Sequence, residues 1–196
     1  MYFDQQAFRK DWVSRFGDQR FCFSGEFAAS LDLPGEAAVF LTEMGLPRSV
    51  PPYLYFASGK NDENGSRLAA GRLKDFLPGH PNENAIVIGT DDAGSYIVLD
   101  PTQNYAVVLL EYDDSFRPVF MNTSLWEMAR CLLAYADFIK MLSRENGEEA
   151  WEDATCSEQQ LADLREVLWE IDPPCVENGF WKQELDAYNN IDPDFE

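Results

Sequence analysis

The chain has 196 residues, 45% of them hydrophobic and 14% aromatic, and its 35 acidic against 15 basic side chains give a net charge of −20. A field of that sign repels nucleic acid phosphates and anionic lipid headgroups, which argues against both as partners, and it speeds encounter with a basic protein. Cys22, Cys131, Cys156 and Cys175 are scattered without a C-x-x-C pair, so neither a zinc knuckle nor a disulfide framework is indicated, and the single histidine, His80, sits in the loop-like "PGHPNEN".

The first stretch, "MYFDQQAFRKDWVSRF", carries charges throughout and has no apolar core of signal-peptide length. Nowhere do about 18 apolar residues run together. The expectation is a soluble, unexported, cytoplasmic protein with reduced thiols.

In chain order, Phe8, Trp12, Val13 and Phe16 fall at helical spacing behind Asp4, a capping residue, with Gly17 just past the end. "RFCFSGEF" reads as an edge strand, and "GEAAVFLTEMGLP" as a second helix stopped by Gly45 and Pro47. "SVPPYLYFAS" then turns from proline into an aromatic strand, because proline lacks the ladder donor but is tolerated at a strand start. Between Gly59 and Glu83 the text is polar and glycine-rich, and "SRLAAGRLKDFL" within it fits a short helix or a strand.

Three β-rich runs follow, "AIVIGT", "SYIVLD" and "YAVVLLEY", divided by "DDAG" and "PTQN". Connections this short force neighbouring strands antiparallel, since a parallel return needs a crossover of a dozen or more residues. The result is a meander, and "PVFMN" adds one more strand. At Ser124 the pattern turns helical: Ser124 and Glu127 have capping-box spacing, and Leu125, Met128, Ala129, Leu132, Leu133, Ala136 and Ile139 draw one apolar stripe to about Leu142. A second box, Ser157 with Gln160, opens a helix carrying Leu161, Leu164, Leu168 and Ile171, ended by Pro173 and Pro174. Phe180, Trp181, Leu185 and Tyr188 predict a last turn or two of helix.

This order predicts an α+β fold: an antiparallel meander sheet packed against helices, with a C-terminal helical extension. Residues 1–144 form the expected core, and residues 145–196 an acidic helical extension packed on the same domain. The extension carries most of the charge, with 16 acidic and 2 basic residues, a net of −14.

The break "TDDAGS" between the first two β-rich runs decides whether the chain reads as an enzyme. As a phosphate cradle it lacks a P-loop lysine, and its two aspartates repel phosphate. As a carboxylate pair for acid–base work or a metal, Asp91 and Asp92 are adjacent residues that diverge on leaving a strand. As a tight turn it has what is needed, because glycine accepts positive φ and aspartate bonds the backbone ahead. The corner is read as a hairpin. No nucleophile paired with a base, no ligand cluster and no cofactor motif occurs, so neither catalytic residues, nor a metal, nor a cofactor are predicted.

"GLP", "PPYLYF", "IVIGTDDAGSYIVLD", "AVVLL" and "VFMNTSLWEMARCLLAYADF", in that order, resemble the SUKH immunity superfamily, relatives of a yeast cell-wall regulator. The matching positions are Ile88, Gly89, Asp91, Gly94, Ile97, Leu99 and Asp100, then Phe120, Asn122, Ser124 and Leu125, within a resemblance running from Leu33 to Phe138. The ending "GFWKQELDAY" is similar to the extension of the fourth subgroup. Thr123 departs from the commoner serine, and the tail after Leu142 is more acidic than the resemblance requires. The resemblance implies a non-enzymatic cytoplasmic bacterial protein that binds and neutralises a toxin encoded beside it, commonly a nuclease or nucleic acid deaminase. Acidity agrees, since such a toxin needs a basic surface for phosphates, and the alternative is that the charge only keeps a solvated surface soluble. An intracellular scaffold or regulatory module that binds another protein is the rival reading.

Exposed acids near aromatics are the expected contacts: Asp91 and Asp92 in the turn, Glu111, Tyr112, Asp113 and Asp114 after the third β-rich run, and Glu148, Glu149, Trp151, Glu152 and Asp153 in "NGEEAWED", where the alternative for Trp151 is docking against the long helix. Trp12, Trp126, Trp169 and Trp181 fall near helical apolar faces and are expected in the core. Asn122 is expected to satisfy backbone at the start of the long helix.

Overall fold

The computed structural model describes residues 4–58 and 68–188. Residues 59–67, part of the stretch whose structure the sequence leaves open, and the tail acids Asp192, Asp194 and Glu196 lie outside the described residues. Two compact units divide the chain, Met1–Pro118 and Val119–Glu196.

In the first unit, helix α1 (Gln5–Phe16) starts where Asp4 caps it, the carboxylate accepting from the amides of Gln6 and Ala7, and ends at Gly17. Trp12 is its buried residue. The indole N–H donates to the Gly45 carbonyl at 3.1 Å, and the ring packs edge-on against Phe16 and Phe40. The expected edge strand shrinks to β1 (Arg20–Phe21), which pairs antiparallel with β2 (Leu46–Pro47). Ser24 then caps α2 (Gly25–Ser30) by accepting from Phe27 N, so the last three residues of "RFCFSGEF" turn helical. The helix α3 (Gly35–Val39) widens into one π-helical turn, Phe40–Met44, before Gly45 ends it.

The sheet of this unit contains β3 (Ser49–Val50), β4 (Leu54–Phe56), β5 (Gly71–Arg72), β6 (Ile86–Thr90), β7 (Tyr96–Asp100) and β8 (Ala106–Glu111). Its order is β3-β4-β6-β7-β8, with β5 also paired to β6, and every pairing is antiparallel. "SRLAAGRLKDFL" contributes β5 and a 3-10 turn, Leu73–Asp75, with no α-helix among its described residues. One apolar cluster joins Leu73, Ala85, Val87, Val98, Val108 and Leu110, flanked by Phe76, Tyr96 and Phe116. Ile88, Ile97, Leu99, Val107 and Leu109 are buried too. Strands buried on both faces read as continuous apolar runs instead of alternating ones, which is how these runs read.

Two sharp connections repeat one device. A 3-10 turn is followed by two residues in the left-handed region, Asn104 and Tyr105 after β7, and Ser115 and Phe116 after β8. The second residue of each pair returns its N–H to the end of the preceding strand, Tyr105 to Asp100 O and Phe116 to Glu111 O, both at 2.8 Å.

β9 (Arg117–Asn122) leads into the second unit, whose helices are α4 (Leu125–Glu145), α5 (Glu158–Ile171), α6 (Pro173–Glu177) and α7 (Phe180–Ala187). An antiparallel sheet followed by helices is the α+β class. The apolar stripe of α4 is buried as predicted apart from half-buried Ala136, and burial extends to Trp126, Cys131, Tyr135 and Phe138. Ser124 caps α4 through Trp126 N, but its hydroxyl bonds Glu127 directly, so the reciprocal box does not form. The second box does form: Ser157 N donates to Gln160 Oε1 at 2.9 Å, and Gln160 N to Ser157 Oγ at 3.2 Å. Pro173 and Pro174 end α5 and also open α6, because proline at a first helical turn lacks only a donor that has no partner there.

Trp169 and Asn122 also depart from expectation. Trp169 is 53% exposed, because it falls one residue past Leu168 and off the line of the buried leucines. Asn122 does not serve the backbone. Its amide donates to Asp172 Oδ2 at 2.9 Å and to Cys131 Sγ at 3.4 Å, and its carbonyl accepts from Trp181 Nε1 at 2.9 Å. The carboxylate of Asp172, between α5 and α6, takes the backbone role instead, accepting from Thr123 N at 2.8 Å. Burial pushes the Cys131 thiol well up, and neighbouring Cys175 adds to it.

Candidate interaction surface

The turn between β6 and β7 is a closed hydrogen-bonded corner. Asp91 Oδ1 accepts from Ser95 N at 2.8 Å, Thr90 Oγ1 donates to Ser95 O at 2.7 Å, and Gly94 takes φ +91°. Asp91 is therefore half-buried and committed to the turn, while Asp92 is exposed. Thr90 pairs with Tyr96 across the corner, so the hairpin reading of "TDDAGS" holds.

The loop after β8 lies against this turn. Tyr112 N donates to Ser95 Oγ at 3.3 Å, and a Cβ built on Gly94 would stand 4.0 Å from the Tyr112 ring. The structure thus brings together two groups that are some twenty residues apart in sequence: Asp91 and Asp92 with Glu111, Tyr112, Asp113 and Asp114. Tyr112 is 56% exposed and rests edge-on against Phe116, which stacks on Tyr96 at 5.8 Å between ring centres. Tyr96 in turn contacts Phe76, so an aromatic ladder runs from solvent into the core cluster. A ring held this way presents contact area without much rotamer freedom left to lose on binding.

Charge here is predominantly negative. Arg117 pairs with Glu111 and Asp114, whose carboxylates raise the pKa of its guanidinium. Among the described residues Asp92 and Asp113 have no cation within ion-pair reach.

The third predicted group is in the second unit. Residues 147–155 form successive tight turns, closed by Asp153 N to Glu149 O at 3.0 Å and Thr155 N to Ala150 O at 2.7 Å. Glu148, Glu149, Glu152 and Asp153 are exposed, and Trp151 is half-buried. The turns hold the acids outward as a charged rim, with only part of the indole available to a partner.

Among the described residues no group of three or more His, Cys, Asp or Glu side chains is arranged to hold a metal ion. No described helix is long and apolar enough to cross a membrane. The family model described as SUKH-4 immunity protein matches residues 9–187. No curated protein and no solved structure matches the chain.

Proposed function

The chain belongs to the SUKH-4 immunity protein family, which implies protection against a toxin, and on that premise we propose that it neutralises a basic toxin domain in the cytoplasm by direct binding, without catalysis. A nuclease or nucleic acid deaminase is the favoured partner class, because such a domain must present cations to phosphates and those cations attract this chain's net charge of −20. The observation that carries the reading is Tyr112, 56% exposed and propped on its aromatic ladder among Asp91, Asp92, Glu111, Asp113 and Asp114.

Acids and aromatic divide the work of recognition. Rim charges mainly set the association rate, whereas a desolvated aromatic anchor contributes about 2 kcal/mol or more. Glu148, Glu149, Glu152 and Asp153 fit the steering role, with Trp151 as a minor contact.

The test is co-expression with the product of each reading frame beside the gene, scored by growth and by co-purification. Rescue of growth together with a co-purified toxin supports the proposal. Rescue without physical association removes direct binding, and no rescue by any neighbour removes the toxin reading.

A further inference from the structure

Along α5, Glu158, Ala162, Arg165 and Trp169 recur at intervals of four, three and four residues, which places them on one stripe beside the buried Leu161, Leu164 and Leu168. With Val176 and Glu177 of α6 the stripe lines a groove of about 580 Å3, within the size range of ligand-holding clefts. Trp169, 53% exposed, stands in it, and Val176 contributes a buried apolar wall. Arg165 approaches Asp186 of α7 at 3.9 Å, so its charge is partly countered. Among the described residues Glu158, Glu166 and Glu177 have no cation within ion-pair reach. The groove thus has an apolar wall of Leu161, Ala162 and Val176, carries an indole, and has three glutamates against the single cation Arg165, an excess of negative charge.

We propose that this groove docks a basic segment of the toxin, one that places an apolar side chain on Trp169 and lysine or arginine against Glu158, Glu166 and Glu177. The proposal rests on the reading of the partner as a basic toxin and assigns it a second contact. Charge complementarity selects this occupant: a second copy of the chain meeting the groove in two-fold fashion would bring the same carboxylates face to face, with like charges opposed. An indole exposed beside an apolar wall is the kind of side chain that dominates interface energies once water is displaced.

The probe is the purified neighbouring gene product whose toxicity the wild-type chain relieves, titrated into wild type, Trp169→Ala, the double variant Glu166→Lys with Glu177→Lys, and Val167→Ala on the other flank of α5. Trp169→Ala is expected to weaken affinity about 30-fold with an unchanged melting temperature. The double variant is expected to slow association about tenfold at low salt and much less at high salt. Val167→Ala, altering a residue 45% exposed but outside this groove, is expected to bind like wild type. Trp169→Ala binding within about twofold of wild type overturns the groove while leaving the toxin reading intact. Self-association of the wild-type chain that Trp169→Ala abolishes also overturns it, assigning the groove to a second copy. A wild-type chain that neither binds nor relieves any neighbouring product removes the toxin reading, and this proposal with it.

Discussion

Trp181 donates its indole N–H to Asn122 Oδ1 at 2.9 Å, across 59 residues of sequence, and neither residue has exposed surface. Asn122 in turn donates to Asp172, which also accepts from the amide and hydroxyl of Thr123. The end of β9, the α5–α6 junction and α7 are thereby joined by one buried polar network, and no buried side-chain nitrogen or oxygen among the described residues lacks a partner. Removing one member of such a network leaves the others unpaired where water cannot reach them. Asn122→Leu is expected to lower stability by about 3 kcal/mol or more. Asp172→Ala, which removes the acceptor that Asn122 and Thr123 share, is expected to cost a similar amount. Urea unfolding of each variant measures this.

Gly179, preceding α7, has φ +121°, and a Cβ there would stand 2.1 Å from the Phe120 carbonyl oxygen. Both the backbone conformation and the space require glycine. Gly179→Ala is expected to cost about 3 kcal/mol or more and to unfold at a markedly lower temperature. Gly94→Ala provides the contrast: φ is +91°, but the nearest obstruction is 4.0 Å away, so only the conformational cost of about 1 kcal/mol is expected.

Burial raises the carboxyl of Glu184 to about 7, a rise only partly offset by its hydrogen bond with Tyr135. Its folded pKa lies above the ordinary glutamate value, so the folded state holds the proton more tightly, and the associated stability is lost as pH rises from about 5 through about 7. Glu184→Gln keeps a neutral hydrogen-bonding group at all pH values. Its melting temperature is expected to exceed that of wild type by about 3 °C at pH 8 and to converge with it near pH 5. Calorimetric melts of both proteins across this range check the sign.

Tyr112 is expected to matter for binding and not for folding. Tyr112→Ala, removing an exposed ring, should leave the melting temperature within about 2 °C of wild type while weakening toxin affinity at least tenfold. Lysine substitution at Glu148, Glu149, Glu152 and Asp153 should slow association several-fold at low salt and change little at high salt, as stopped-flow mixing would register. Unchanged kinetics would remove that loop from the interface.

Much of the fold was legible because the relevant signals are local. The short links "DDAG" and "PTQN" dictated antiparallel neighbours, and Asp4, Ser124 and Ser157 marked helix starts, as the observed caps confirm. The losses came where tertiary context decides. "RFCFSGEF" carries strand-like aromatics, yet Ser24 accepts from Phe27 N and turns the last three residues into α2. Trp169 adjoins Leu168 in sequence, which suggests the core, although its spacing from Glu158, Ala162 and Arg165 puts it on another face. Asn122 offered no local clue, since its partners Asp172 and Trp181 lie 50 and 59 residues away. For the interaction surface, sequence indicated the acids near Tyr112, but the adjacency of this loop to Gly94 and Ser95 appears only in three dimensions.

Direct capture of a toxin by the acidic, aromatic-bearing surface is tested by the binding of purified chain to the purified neighbouring gene product whose toxicity it relieves, followed for wild type and Tyr112→Ala across a salt series. Wild type is expected to associate tightly, with an association rate that falls steeply with salt, and Tyr112→Ala to bind at least tenfold more weakly. Growth rescue by a chain that shows no measurable binding, or binding indifferent to both salt and Tyr112, would contradict it.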